Sequence, residues 1–291
     1  MTEELDELNR LFTSKNVEDV IKFYDHFDTA EQLIEWMKNR PSAPMKIYEV
    51  EGEKDIVVVI PTANHEGEFA KNCANNIFKG QQIVFVESNG PFFNYARSCN
   101  YGLKYALKYN PKWIVLSNDD IARIGSTKLL KDKLFNVVGD IISVKATNTG
   151  HFYDYYFVKS TFFFKIFNSL KRRNINYILS KFEVLYFGRT YRHKFFDRVF
   201  YKKITTIPLN SAFLVFSQEF LSSKNGLVFD EICINSCEDL LIWLENSTVK
   251  LVSIDIPIED LVGSSLGNSS ARLLRDLNGL IYFNYEYKKR M

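Results

Sequence analysis

Residues 112–121 read KWIVLSNDDI, and the abrupt change from apolar to acidic residues in this stretch indicates both the fold and a site. The apolar run at residues 113–116 predicts a buried β-strand. It is followed at once by Ser117, Asn118, Asp119 and Asp120. Because moving charge out of water is unfavourable unless the charge is paired or coordinated, two carboxylates at the end of a buried strand indicate a partner for that charge.

The rest of the chain alternates apolar strands with amphipathic helices. Strands are predicted at 55–61, 82–88, 112–119, 140–146, 208–217 and 251–257. Helices are predicted at 67–78, 92–109, 126–135, 236–246 and 269–287. This alternation predicts an α/β fold with a mostly parallel central sheet and flanking helices.

Polar residues lie at the carboxyl ends of the first three predicted strands: Thr62, Asn64 and Glu66 at the first, Glu87 at the second, and residues 117–120 at the third. In parallel sheets, ligands bind beyond the carboxyl ends of the strands. Three polar strand ends at one edge therefore predict a shared polar ligand.

The acidic pair Asp119-Asp120 predicts a site for Mg²⁺ or Mn²⁺ on a nucleotide diphosphate. These hard cations prefer oxygen ligands, and magnesium takes one or two protein carboxylates together with phosphate oxygens. The alternative is an Asn-Asp turn in which an Asp caps the next helix, an interpretation that Gly125 and Ser126 favour.

Composition excludes several classes of protein. The chain has 291 residues, of which 46% are hydrophobic and 25% charged, so global disorder is not expected. The formal net charge of +2 gives no indication of a nucleic-acid partner. The four cysteines form no CxxC pair, which predicts reduced, structural thiols.

Two further features of the sequence predict the cellular location of the protein. No apolar run approaches the ~18 residues that span a bilayer, and the acidic start MTEELDEL is unlike a signal peptide. We therefore expect a cytoplasmic protein, at most peripheral at the inner face of a membrane.

Two segments stand apart from the α/β pattern. Residues 1–50 predict an N-terminal helical extension ahead of a main domain at 51–291. Residues 151–206 interrupt that domain with an aromatic and basic insert, which holds 12 Lys and Arg against 3 Asp and Glu.

Six segments resemble glycosyltransferase family 2 in their order and spacing: VVVIPTANHE, VFVESNGP, ARSCNYGLKYA, WIVLSNDDI, NSAFLVFSQEFLSSKNGLVFDE and CEDLLIWLE. The resemblance covers roughly residues 54–150 and 207–283. It implies a single α/β domain of the GT-A type. It also implies inverting sugar transfer from a nucleoside diphosphate sugar to an acceptor hydroxyl, aided by Mn²⁺ or Mg²⁺.

The resemblance implies a set of donor-binding residues: Thr62, Asn64, Glu66, Glu87, Arg97, Asn100, Asn118 and Asp119. Within this set, Asp119 would lie near the ribose, and Glu87 stands where the family commonly has an Asp that contacts the base. The implied metal ligand is Asp120. Asp260 occupies the place of a His that often helps to bind the metal or the diphosphate.

Several of these residues have simpler interpretations. Glu87 is equally well explained by a salt bridge to a basic loop residue. Asn100 and Gly102 are equally well explained by helix packing. Arg97 on its own is typical of a solvated helix residue, and His65 of a surface loop.

The segment SCEDLLIWLE places Glu238 and Asp239 in the first turn of a predicted helix. The resemblance implies that Asp239 is the catalytic base and that Glu238 supports it. A helix N-terminus favours ionised carboxylates, which suits a base that accepts the acceptor's proton. The alternative is a capping box between Ser236 and Asp239.

The insert at 151–206 suits contact with an acceptor, which could be lipid-linked, a glycan or a protein, or with an anionic membrane surface. A helical subdomain that buries its aromatic residues is the alternative, and nucleic acid is not expected.

Two other functions are open for the protein: a catalytically silent binding or scaffold protein, and a nucleotidyltransferase. The latter is disfavoured because the first strand is not followed by a glycine-rich, basic loop for a triphosphate.

Overall fold

The computed structural model describes residues 3–145, 156–158, 201–203, 212–245, 249–260 and 269–290, and within these ranges a seven-stranded sheet forms the centre of the fold. The strands are β1 (Lys46–Val50), β2 (Glu53–Thr62), β3 (Gln81–Glu87), β4 (Trp113–Ser117), β5 (Ile121–Ile124), β6 (Ile141–Lys145), β7 (Tyr156–Val158), β8 (Tyr201–Lys203), β9 (Phe213–Ser217), β10 (Leu251–Asp255) and β11 (Ile258–Asp260). The sheet order is β1-β3-β2-β4-β9-β6-β10, and β5 pairs with β11 and β7 with β8 outside it.

Strand direction in the sheet is mixed. β2, β3, β4, β6 and β10 share one direction, whereas β1 and β9 run antiparallel to their neighbours. The α/β class and the mostly parallel sheet agree with the sequence prediction. The reversed direction of β9 was not predicted, because an apolar run has the same pattern in either direction.

The helices are α1 (Glu3–Thr13), α2 (Val17–Asp25), α3 (Ala30–Asn39), α4 (Glu68–Asn72), α5 (Tyr95–Ala106), α6 (Thr127–Phe135), α7 (Gln218–Ser223), α8 (Glu238–Glu245), α9 (Ser270–Arg275) and α10 (Leu277–Arg290). A π-helical turn (Cys73–Ile77) continues α4, and a short 3₁₀ helix (Leu107–Tyr109) continues α5. Local sequence sets several helix starts. Asn94 caps α5 by accepting a hydrogen bond from the Arg97 backbone N–H, and Thr29 forms a capping box with Gln32 at α3.

Both faces of the sheet are buried at its central strands, which explains the continuous apolar run in β2. Val57 and Val59 pack on the face that α5 and α7 cover, and Val58 and Ile60 pack on the opposite face. Because successive side chains of a strand point to opposite faces, a strand covered on both sides must be apolar at every position.

The N-terminal helices form a third apolar cluster with α8, α10 and the segment 232–237. Phe12, Phe23 and Trp36 lie at its centre in edge-to-face contacts. The helical part of the predicted extension ends at Asn39, and residues 46–50 already belong to the sheet as edge strand β1. No helix of the described ranges is both long and apolar enough to cross a bilayer.

Candidate functional site

The chain passes from β2 to β3 on one side and later to β4 on the other side, so a switch point lies at the carboxyl end of β2. In open α/β sheets the crevice beyond such a point is the usual ligand site. The last residue of β2, Thr62, donates a hydrogen bond of 2.6 Å from its hydroxyl to Asp119 Oδ2. This hydrogen bond therefore joins the polar residues at the carboxyl ends of β2 and β4.

Asp119 and Asp120 lie side by side in this crevice. Asp120 is only 5% exposed. Burial raises the pKa of Asp119 and the adjacent Asp120 adds to the rise, while the Thr62 hydroxyl opposes it. Behind the pair, Cys73 Sγ donates to the Asp119 carbonyl oxygen at 3.3 Å. Two neighbouring carboxylates are thus held where little water reaches them.

Neither aspartate caps the following helix. β5 intervenes between the acidic pair and α6, and Ser126 caps α6 by accepting a 3.0 Å hydrogen bond from the Leu129 backbone N–H. The alternative interpretation of Asp119 and Asp120 as helix caps is therefore wrong.

Tyr95, in the first turn of α5, lies between the two acidic motifs. Its hydroxyl donates to Asn118 Oδ1 at 2.9 Å. Burial raises the pKa of Tyr95, and Cys99, Glu238 and Asp120 add to the rise. The Tyr95 backbone N–H donates to Asn235 Oδ1 at 2.8 Å, so this residue contacts both the acidic strand end and the loop before α8. No local pattern in the sequence indicates this residue, because its partners are distant in the chain.

Glu238 is buried, with 5% of its surface exposed, and its Oε1 atom has no hydrogen-bond partner within the described ranges. Burial raises the pKa of Glu238 to about 8, with smaller contributions from Asp239 and Asp276. At neutral pH this carboxyl is mostly protonated. Asp239, the next residue of α8, is half-buried.

Ser236 Oγ donates to the Asp276 carbonyl oxygen at 2.9 Å, between α9 and α10. At Gly279 an added Cβ would lie 2.4 Å from the Ser236 carbonyl oxygen, so α10 approaches this loop closely. The loop before α8 is thus held by the C-terminal helices.

Glu87, at the end of β3, is bound to His65. Its Oε2 atom lies 2.6 Å from His65 Nδ1 and accepts a 3.0 Å hydrogen bond from the His65 backbone N–H. These bonds lower the pKa of Glu87, and the His65 ring stacks on Tyr48 with centroids 3.4 Å apart. The arrangement matches the salt-bridge interpretation of Glu87, and it joins β1 to the loop after β2.

Arg97 and Asn100 have protein partners. Arg97 pairs with Glu231 at 3.6 Å and donates to the Ser42 hydroxyl. The buried Asn100 side chain donates to the Phe229 carbonyl oxygen at 2.8 Å and accepts from two backbone N–H groups of the same loop. Both residues hold the segment 228–231 against α5.

Asn64 and Glu66 are exposed in the loop after β2, where Asn64 Oδ1 accepts a 3.0 Å hydrogen bond from the Glu66 backbone N–H. A separate shallow depression lies on the outer face of α4 and the π-helical turn. Its lining, which includes Glu68 and Asn72, shares no residue with the acidic crevice.

Within the described ranges, no group of three or more His, Cys, Asp or Glu side chains could hold a metal ion. Asp119 and Asp120 still satisfy the smaller requirement of one or two protein carboxylates for magnesium. The backbone of Asp260 pairs with Ile121, next to Asp120 in the chain. The side chain of Asp260 lies outside the described part, as does most of the insert 151–206.

Comparison with protein-family models and with curated proteins finds no match. Among solved structures, the crystal structure of A197 from STIV is similar over 71% of this chain and 85% of that chain. The sequence identity is 12% and the TM-score is 0.39.

Proposed function

We propose that the chain is an inverting glycosyltransferase of the GT-A type, which transfers a sugar from a nucleoside diphosphate sugar to an acceptor hydroxyl. The observation that carries the proposal is the crevice at the switch point of the sheet. There Thr62 contacts Asp119, the Tyr95 hydroxyl donates to Asn118, and the Tyr95 backbone N–H donates to Asn235 in the loop before α8. Tyr95 therefore links the proposed donor-binding motif at residues 118–120 to the loop that leads to the proposed base, Asp239.

Glu238 and Asp239 are adjacent in α8 but differ in burial, and this difference supports Asp239 as the base. Glu238 is buried and mostly protonated at neutral pH, so it suits a structural role. The acceptor oxygen would attack the anomeric carbon while the bond from that carbon to the diphosphate breaks. The acceptor's proton would pass to Asp239, and the nucleoside diphosphate would leave.

Mn²⁺ or Mg²⁺ suits the chemistry of the crevice, and Asp120 would hold it, with Asp119 beside it near the ribose. Bound there, the ion would neutralise charge on the diphosphate leaving group. Asn118, Thr62, Asn64 and Glu66 surround the same strand ends. Asp260, Glu87, Arg97 and Asn100 remain proposed donor-side residues, although the last three already have protein partners.

The acceptor is proposed to be lipid-linked, a glycan or a protein. Residues 151–206 would contact it or an anionic membrane surface, because aromatic and basic residues suit both.

Thermal unfolding in the presence of nucleoside diphosphates tests donor binding. With MnCl₂, at about 100 times the dissociation constant, a bound nucleotide should stabilise the wild-type chain by about 2.7 kcal/mol. The Asp120→Ala variant should lose the manganese-dependent part of this stabilisation. Asp132→Ala is the matched control, since Asp132 is exposed on α6. Equal stabilisation of Asp120→Ala and wild type would remove the metal assignment.

The Asp239→Asn variant tests the base. We expect it to bind the nucleotide like the wild-type chain, while turnover of a nucleotide sugar falls about 10²- to 10⁴-fold because the proton acceptor is lost. Single-turnover assays with equal donor saturation provide the measurement. Retained turnover would place the base elsewhere.

A catalytically silent nucleotide-binding protein is the second candidate. The observation that favours it is that Arg97, Asn100 and Glu87 are engaged by protein groups. Slow hydrolysis of the donor without acceptor separates the two candidates, since only the enzyme should release free sugar.

A further inference from the structure

The hydrogen bond between Tyr95 and Asn118 determines which face of the Asn118 amide is available to a ligand. The Tyr95 hydroxyl donates to Asn118 Oδ1 at 2.9 Å. A phenol with an ordinary pKa near 10 is protonated at neutral pH, so it can serve as this donor. The amide is planar, and its NH₂ group is therefore on the side that does not contact Tyr95.

The location of Asn118 allows its NH₂ group to contact a ligand. Asn118 is half-buried at the carboxyl end of β4, directly before the acidic pair. Its backbone N–H is bound to the Ala212 carbonyl oxygen at 2.9 Å, so the main chain is held in place. Within the described ranges, no protein group accepts a hydrogen bond from Asn118 Nδ2.

An asparagine at this position differs chemically from an aspartate. A carboxylate has only acceptors, so it would attract a cation and repel a phosphate. The Asn118 amide, with its oxygen bound to Tyr95, offers two N–H donors instead. Donors suit an oxygen of a bound nucleotide, and they do not suit a metal ion.

We propose that Tyr95 is a positioning residue that fixes the Asn118 amide so that its NH₂ group donates to an oxygen of the bound nucleotide, and that Asn118 is not a metal ligand. This inference rests on the proposed nucleotide site. It adds Tyr95, which the sequence did not indicate, to the site. It also separates the role of Asn118, which donates to the nucleotide, from that of Asp120, which is the proposed metal ligand.

Nucleotide binding by calorimetry provides the test, with the tightest of UDP, GDP, CDP and ADP as the probe and MnCl₂ in excess. Asn118→Asp should weaken binding at least about tenfold, because two donors to a charged ligand are lost. If Asn118 were a metal ligand, the same substitution would supply a better ligand and strengthen binding. Tighter or unchanged binding by Asn118→Asp would therefore overturn the inference.

A double-mutant cycle tests the positioning role of Tyr95. Tyr95→Phe should weaken binding about fivefold to tenfold in the wild-type background and have no effect in the Asn118→Ala background. A merely structural effect of Tyr95 would appear equally in both backgrounds and would contradict the inference. Tyr101→Phe is the matched control, because Tyr101 lies on the same helix and is 43% exposed.

The outcomes separate this inference from the proposed function. If the wild-type chain binds none of the four nucleotides, the nucleotide site itself is wrong, and the inference fails with it. If the wild-type chain binds and Asn118→Asp binds at least as tightly, only the positioning inference fails. Should Tyr95→Phe not fold, the sign of the Asn118→Asp effect still decides.

Discussion

Glu238 shows how a single buried residue links the fold to its chemistry. Its carboxyl has 5% exposure and an Oε1 atom without a hydrogen-bond partner in the described part of the chain. Burial raises the pKa to about 8 from an ordinary value of 4.5. Burial therefore favours the neutral form of this acid, which suits a structural role at the start of α8.

The stability of the protein should fall as the pH rises from about 4.5 to about 8, and Glu238 should be a main cause. The folded chain holds a proton on Glu238 in this range and the unfolded chain does not, so folding becomes less favourable as protons become scarce. Glu238→Gln, which is neutral at every pH, should reduce this dependence. At pH 8 it should stabilise the protein by a few kcal/mol, on the order expected from such a shift.

Urea unfolding at several pH values measures this effect. The matched control is Glu219→Gln, because Glu219 is an exposed acid in the first turn of α7. The same slope in wild type and Glu238→Gln would show that Glu238 is not buried in its neutral form.

At the scale of single elements, α5 has the greatest influence on the site. One side of the helix contacts β2 and β3 through Gly102, where an added Cβ would lie 2.4 Å from Val59 Cγ1 and 2.6 Å from Val86 Cγ2. The same helix presents Tyr95 to Asn118 and Asn100 to the segment 228–231. The packing of α5 against the sheet therefore sets the position of groups on both sides of the crevice.

Gly102→Ala should destabilise the protein by about 1–3 kcal/mol, because the buried valines have little room to move. This steric cost opposes the gain of about 1 kcal/mol in helix propensity from Gly to Ala, and it should exceed that gain. Urea unfolding provides the measurement. Lys104→Ala, at an exposed position of the same helix, should change stability by less than about 0.5 kcal/mol. A stabilised Gly102→Ala variant would mean that α5 is not packed this closely.

At the scale of the whole molecule, the N-terminal helices are tied to the rim of the site through Arg40. The side chain is 5% exposed and donates to Asn9 Oδ1 at 2.9 Å, to the Phe93 carbonyl oxygen at 3.3 Å and to the Pro91 carbonyl oxygen. Burial lowers the pKa of Arg40 to about 10, so the guanidinium remains charged at neutral pH. The extension thus holds the loop that leads from β3 into α5.

Arg40→Ala should destabilise the protein by about 2–4 kcal/mol, because it leaves buried carbonyl oxygens without donors. Hydrogen exchange should become faster in the segment 90–95, where the Phe92 carbonyl oxygen accepts from Ala43 at 3.1 Å. Lys38→Ala removes an equal charge from an exposed position at the end of α3 and is the matched control. Unchanged exchange in this segment would contradict the role given to the extension.

Apolar periodicity correctly gave the α/β class and most strand and helix positions, because burial on both faces requires continuous apolar runs. It missed β1, whose residues are half-buried or exposed and carry two charges among five positions. The pairing of β5 with β11 was also missed, since these strands are only four and three residues long.

The sequence by itself determined the mixed α/β fold and the placement of polar residues after the first three strands, because both depend on local patterns of burial. The tertiary structure alone decided which polar groups meet. It bound Glu87 to His65, turned Asn100 toward the segment 228–231, and brought Tyr95 to Asn118. These contacts join residues up to 129 positions apart, and their partners depend on strand order and helix packing. No local pattern in the chain encodes that order.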